Sequence, residues 1–115
     1  MSAHLASPDR FAQFLQYDPS HKALGFVEAS LRSDYVNGTS TSPVAFLEGI
    51  YVIPEARRRG VARSLVTEVE GWAADRGCTE FASDVLLENV LSRSMHIALG
   101  FEETERVIFF KKVLS

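Results

Sequence analysis

The first ordered pattern of apolar positions spans Phe11 to Tyr17, where Phe11, Phe14, Leu15 and Tyr17 with Ala12 between them form a short aromatic-rich run that predicts a strand. Asp18-Pro19-Ser20-His21 predicts a turn, and the run from Ala23 to Arg32 a second strand one hairpin loop away, hence an antiparallel neighbour. Gly25 within it marks a bulge or a close approach of backbone. Residues 33–43 are polar, carry the turn signal Asn37-Gly38, and lead into residues 44–53, which are apolar on both faces as a central strand requires. One carboxylate, Glu48, interrupts that strand just before Gly49.

Pro54-Glu55-Ala56 ends the strand. Arg57-Arg58-Arg59-Gly60 then leads into a helix whose apolar positions Val61, Leu65, Val69, Trp72 and Ala73 recur at helical spacing, with Gly77 as its C′ residue. Residues 78–85 predict a strand, and a strand, a helix and a strand in succession form a crossover that requires parallel pairing. Asn89 opens a second helix on Leu91, Met95, Ala98 and Leu99, stopped by Gly100. The tail, residues 101–114, begins with Glu102-Glu103-Thr104-Glu105, continues as Val107-Ile108-Phe109-Phe110, and predicts a last strand or hairpin. With no repeat or linker, residues 1–115 are expected to form a single mixed α/β (α+β) domain.

Composition narrows the function classes. At 115 residues, 46% hydrophobic and 23% charged, the chain is long enough for one core and too short for two domains. A formal charge of −3 lacks the positive field that drives non-specific nucleic-acid binding, so no nucleic-acid partner is expected. One cysteine, Cys78, makes no intrachain disulfide, and no cysteine–histidine cluster has the ligand count of a zinc site, so no metal is expected. Cys78 itself reads as a small buried hydrophobe and Trp72 as core. The N-terminal residues lack a basic region followed by an apolar one, and no apolar run approaches a membrane span, which implies a cytoplasmic protein with no membrane partner.

The arginine run is the most informative segment. On charge alone it reads as a solvated basic turn. Yet cations at a helix N-terminus oppose the macrodipole, and capping preferences place Asp, Ser or Thr there instead. An anion resolves the conflict: glycine lets the backbone approach a ligand, first-turn amides lack partners within the helix, and guanidinium groups add charge-assisted bonds. No Lys-Ser/Thr follows Gly60, so the segment is not a Walker loop.

Arg57-Arg58-Arg59-Gly60-Val61-Ala62 after an apolar strand resembles the Arg/Gln-x-x-Gly-x-Gly/Ala signature of the GNAT superfamily of N-acetyltransferases. Residues 47–54, Asn89 and Ala98-Leu99-Gly100-Phe101 resemble further family segments in the same order. More narrowly, Asp34-Tyr35-Val36-Asn37-Gly38, Phe46-Leu47-Glu48-Gly49-Ile50, Ala82-Ser83-Asp84 and residues 98–107 are similar to the aminoglycoside 6′-N-acetyltransferase subgroup. The resemblance implies a mixed, mostly antiparallel sheet with a central splayed strand followed by the pyrophosphate-binding helix, and acetyl-CoA as co-substrate.

It also implies roles. The pantetheine arm would meet the backbone of Ile50, Tyr51 and Val52, and the pyrophosphate the run Arg57, Arg58, Arg59, Gly60, Val61, Ala62 and Arg63. Asn89 matches the asparagine that bonds the pantetheine, and equally suits a plain N-cap. Acetyl transfer to an amine needs a neutral nitrogen, a stabilised oxyanion and a proton for the leaving thiolate. Glu48 is the candidate base: inside an apolar strand it is expected to be partly desolvated, with raised proton affinity, the alternative being a solvent-facing carboxylate or one paired with an arginine. The Val52 amide is the candidate thioester-polarising donor. His96 stands where many family members have a tyrosine and is the candidate acid, against the plainer reading of a packing residue. Tyr35, Glu48, Asp84 and Glu103 would line the site of a polycationic small-molecule amine, while Glu102 and Glu105 read as exposed.

The family's usual first strand and helices are expected to be missing, since only residues 1–10 precede the hairpin. That leaves a short member, a truncated product, or a protein completed by its partner in a homodimer. The resemblance favours a dimer joined through C-terminal strands. The functions in view are 6′-N-acetylation of aminoglycosides, acetylation of a polyamine or other small amine, and a truncated acyl-CoA-binding protein without activity.

Overall fold

Strand β1 (Ser2–Ala3), β2 (Phe11–Tyr17), β3 (Ala23–Arg32), β4 (Val44–Val52) and β5 (Phe81–Ala82) lie in that order in one sheet, with helix α1 (Val61–Asp75) between β4 and β5 and helix α2 (Val90–Ala98) after them. The computed structural model describes residues 2–3, 10–85 and 88–114. It divides into two units, Met1–Asp84 and Val85–Ser115.

In the first unit the Asp18 turn forms as its residue types require: Oδ1 accepts from the N–H groups of Ser20 (2.8 Å) and Lys22 (2.9 Å). β2 and β3 run antiparallel from it, and β3 pairs antiparallel with β4. Both expectations for Gly25 hold, because the β2–β3 register slips beside it and an added Cβ would stand 2.5 Å from Tyr51 O. β1 is antiparallel to β2, in a place where no strand is expected from the sequence.

Alternation along β3 and β4 divides the sheet into two faces. Val27, Ala29, Ala45 and Leu47 join Ala12 and Phe14 under the α1 stripe Val61, Leu65, Val69, Trp72 and Ala73 to make the main core. Val44 and Phe46 point to the other face, where they meet Val36 from the 33–43 loop. Burying each large member of these clusters contributes roughly 1.5–3 kcal/mol relative to leaving it in water. α1 ends as expected: Gly77 is left-handed (φ 82°), its N–H donates to Ala74 O and that of Cys78 to Ala73 O, both at 3.0 Å, a Schellman motif.

The crossover brings β5 parallel to β4, with Ala45 opposite Phe81 and Phe46 opposite Ala82. The strand predicted over residues 78–85 contracts to these two residues, the pairing with β4 ending at Phe46 and Ala82.

In the second unit, Asn89 caps α2 by accepting from Ser92 N–H (3.1 Å), and left-handed Gly100 closes a second Schellman motif. The predicted apolar stripe is not a buried one: no α2 residue is buried, and Leu91 is 85% exposed. The last strand or hairpin expected from the tail is not formed either, residues 101–114 having no ladder partner among the described residues. A strand is completed by its neighbour, and apolar pattern alone does not supply one.

Candidate active site

Glu48 occupies a β-bulge. Glu28 pairs with Gly49 and Ala29 with Leu47, so Glu48 is the extra residue in β4. The bulge shifts the alternation by one: Ala45 and Leu47 face the main core before it, and Ile50 and Val52 pack against that core after it. The Glu48 side chain thereby turns to the opposite face, beside the even-numbered residues of β3. Its Oε2 accepts from Arg32 Nη2 (3.1 Å) and from the hydroxyl of buried Ser30, and the Arg32 guanidinium lies 3.6 Å from the Phe46 ring centroid. The expected desolvation of Glu48 is not found. Its side chain keeps 40% of its exposure, because the bulge lifts it out of the ladder into an arginine pair, the alternative its residue type also allowed.

Past Phe46 the side of β4 facing β5 has no strand on it among the described residues. Ile53 N–H donates to Leu24 O (2.9 Å), so in the alternating ladder the polar groups of Val52 and Ile50 point away from β3, toward that open side. The Val52 amide is thus placed where a carbonyl oxygen is able to reach it. Arg57 Nε donates to Val52 O (2.9 Å), and its guanidinium stands 5.6 Å from the Tyr51 ring centroid. The Arg57 side chain is therefore turned back onto the strand, at the start of the turn that leads to Gly60.

The 57–60 turn has the geometry of an anion site. Arg58 (φ 64°) and Gly60 (φ 82°) are both left-handed, a conformation costing about 1–2 kcal/mol at a non-glycine residue such as Arg58. α1 starts at Gly60 with no side-chain cap and no acidic residue in its first turn, and an added Cβ at Gly60 would meet nothing within 4 Å. An uncapped helix start beside exposed Arg58, Arg59 and Arg63 suits a pyrophosphate, with the backbone of Val61 and Ala62 completing the turn.

Asp84 is exposed and lies two residues beyond Ala82, as Glu48 lies two beyond its partner Phe46, so both carboxylates fall just past the last paired residues of β4 and β5. Tyr35 is 74% exposed on the 33–43 loop. The remaining candidates belong to the second unit. Glu103 is held by Arg106, which donates through Nε to Oε1 and through Nη2 to Oε2 (3.3 Å), and this pairing holds its carboxyl below the ordinary carboxylate value. His96 donates from Nδ1 to Ser92 O (2.7 Å), which assigns the basic lone pair of the neutral ring to Nε2. Its ring meets that of Phe101 at a tilt of 60°, centroids 5.2 Å apart, the side-chain contact that accompanies a Schellman motif. Glu102 and Glu105 are exposed.

Comparison with known proteins meets this geometry. Residues 3–101 match the model of the acetyltransferase (GNAT) family. The chain belongs to that family. It is 55% identical to an aminoglycoside N(6′)-acetyltransferase type 1 of Acinetobacter genomosp. 13, covering 96% of this chain and 80% of that protein. A second such enzyme, from Acinetobacter baumannii, is 60% identical over 87% of this chain and 68% of its own length. Among solved structures, AAC(6′)-Ih from Acinetobacter baumannii superposes with a TM-score of 0.88 at 57% identity, over 92% of this chain and 72% of that one. AAC(6′)-Iy in complex with the bisubstrate analogue CoA-S-monomethyl-acetylneamine gives a TM-score of 0.86 at 52% identity, over 92% and 71%.

The GNAT fold accounts for the open side of β4 and for the helix that starts at Gly60. Two neighbours of Glu48, Ser30 and Arg32, went unmarked in the sequence, although the period-2 series Glu28, Ser30, Arg32 along β3 is the signal that points to them. Cys78 packs against the main core, and burial pushes its thiol up. Among the described residues no cluster of His, Cys, Asp or Glu is placed to hold a metal ion, and no helix is long and apolar enough to cross a membrane.

Proposed function

We propose that this chain transfers the acetyl group of acetyl-CoA to the 6′-amine of an aminoglycoside by direct attack on the thioester. The observation carrying this reading is the 52% identity to a structure holding a CoA–acetylneamine bisubstrate analogue, a molecule that joins the two substrates in one ligand. The family match runs across the Asp84/Val85 division, which supports reading both units as one acetyltransferase domain.

Arg57, Arg58, Arg59, Arg63 and the backbone from Gly60 to Ala62 would hold the pyrophosphate, with Ile50, Tyr51 and Val52 along the pantetheine and Asn89 Nδ2 donating to it. Acetyl-CoA supplies an activated acyl group and a thiolate leaving group. Glu48 takes a proton from the 6′-ammonium, and the freed nitrogen lone pair forms a bond to the thioester carbon. The Val52 N–H stabilises the oxyanion. When the C–S bond breaks, the thiolate departs with the electron pair and is protonated, the candidate donor being His96 as an imidazolium, which gives up its Nε2 proton and returns to the neutral ring that keeps Nδ1–H on Ser92 O. Tyr35, Asp84 and Glu103 hold the remaining ammonium groups of a polycationic acceptor.

The chain further reads as a cytoplasmic homodimer. Ile108, Phe109, Phe110, Val113 and Leu114 are each at least 78% exposed, an apolar series that a second copy would cover.

Release of CoA thiol with kanamycin, tobramycin, a 6′-hydroxyl aminoglycoside and spermidine tests the reaction. Turnover confined to drugs bearing a 6′-amine is expected. Turnover with spermidine alone moves the acceptor to polyamines, and CoA binding without turnover identifies an inactive acyl-CoA-binding protein.

A further inference from the structure

The 33–43 loop joins β3 to β4 and carries Tyr35. Its mouth is closed by Ser42 Oγ donating to Ser33 O (2.8 Å), and within it Thr39 donates through N–H (3.1 Å) and Oγ1 (2.7 Å) to Val36 O. Val36, 8% exposed, anchors one limb beside Val44 and Phe46. The other limb is anchored from a distance. Glu80 Oε1 accepts from the N–H groups of Ser40 (2.9 Å) and Thr41 (2.8 Å) and from the Thr41 hydroxyl. The backbone of the same residue accepts from Ala45 N–H (3.1 Å), at the first pairing of β4 with β5.

Three donors converging on one carboxylate oxygen make a charge-assisted clasp, stronger than neutral hydrogen bonds of the same count. The clasp spans some forty residues of sequence, so it ties the loop to the sheet and not merely to itself. The loop is consequently seated at two points, Val36 in the apolar cluster and Ser40–Thr41 on Glu80, with Tyr35 next to the first of them.

We propose that Glu80 is a positioning residue for the acceptor: by clasping Ser40 and Thr41 it fixes the loop that presents Tyr35, and so sets affinity for the amine substrate without touching it. This rests on the reading of Tyr35 as an acceptor-site residue. The cofactor-binding candidates in the first unit, on β4 past Glu48 and at the 57–63 turn, make none of these contacts, so the effect is selective.

Glu80→Ala in the full chain is expected to raise KM for a 6′-amino aminoglycoside on the order of tenfold, since small displacements of positioning groups are costly. KM for acetyl-CoA should stay unchanged. Glu80→Gln, which keeps an acceptor oxygen, should recover most of the loss, and Thr41→Val should show a smaller rise in the same parameter while leaving the fold intact. In a double-mutant cycle with Tyr35→Ala, the Glu80→Ala effect should largely disappear, because a misplaced loop has nothing left to misplace. An unchanged acceptor KM in Glu80→Ala, an equal rise in KM for acetyl-CoA, or full additivity with an effective Tyr35→Ala overturns the proposal. If Tyr35→Ala itself leaves the acceptor KM unaltered, the reading of Tyr35 falls and takes the proposal with it, an outcome distinct from the other three.

Discussion

β4 and the run Val107-Ile108-Phe109-Phe110 are built from the same β-branched and aromatic residue types, yet Val44 and Ala45 are wholly buried while Phe109 and Phe110 are 82% and 90% exposed. β4 has β3 along its whole length on one side, β5 at its start on the other, and α1 over one face. The tail has no ladder partner among its described residues. A high strand propensity therefore means fitness for a pleated, half-buried surface, and the surface has to be supplied. In β4 the supply stops at Phe46 on the β5 side, and the unsupplied stretch that follows is where the candidate chemistry lies.

The contrast holds if changes around β4 are felt by the reaction or the fold and changes in the tail only by assembly. The largest effect expected is that of Glu48→Gln, which should lower kcat by about 10²–10³-fold with unaltered acetyl-CoA binding, by steady-state thiol release and equilibrium titration. An unchanged rate would remove Glu48 as the base. Next comes Leu65→Ala under the sheet, expected to lose about 2–5 kcal/mol in urea unfolding, since Leu65 is 1% exposed and its removed atoms leave a cavity.

Gly60→Asp should weaken acetyl-CoA binding by about tenfold or more, roughly 1.4 kcal/mol. Asp tolerates the left-handed region and a carboxylate suits a helix start, so the fold should persist while an anion is repelled. Retained affinity would mean the cradle lies elsewhere. In the tail, Phe109→Ser should alter the unfolding free energy of the dilute monomer by less than about 0.5 kcal/mol, and sedimentation should show weaker self-association. A loss as large as that of Leu65→Ala would erase the contrast between the two regions.

The smallest effects are titrations. The Thr41 hydroxyl and the Ser40 and Thr41 amides hold the Glu80 carboxyl below its ordinary value, and Arg106 does the same for Glu103. A carboxyl depressed in the folded state contributes stability that is present above its unfolded value, about 4.3, and is lost as pH falls through the folded one. Acidification through the lowered Glu80 value should therefore release the 33–43 loop, seen as a loss of exchange protection at the Ser40 and Thr41 amides relative to the intrinsic rate at the same pH. Loss of the Glu103 charge frees only a local contact to Arg106, three residues away, so Glu103→Gln at neutral pH should leave the first unit's exchange protection unchanged.

Local signals in this chain translate directly into local structure. The Asp18 turn, the caps at Gly77, Asn89 and Gly100, the α1 stripe and the left-handed Gly60 all depend on residues within a few positions of one another, so their energetics are contained in short windows of sequence. The family signature belongs to the same class, since the arginine–glycine turn is a run of consecutive residues whose backbone conformation is set locally. What depends on a distant partner was decided only in three dimensions. The sequence places Glu48 in a central strand, but the bulge opposite Glu28 and Ala29 decides which face it takes, and Arg32 and Ser30 await it there. Strand propensity over residues 78–85 became two residues of β5, and the tail's became none, because the pairing surface and not the pattern was limiting. Glu80 reads as a routine polar residue until folding carries the 33–43 loop to it. Short-range energetics are written in residue types and spacing, whereas pairing, bulge register and clasp are properties of the assembled sheet.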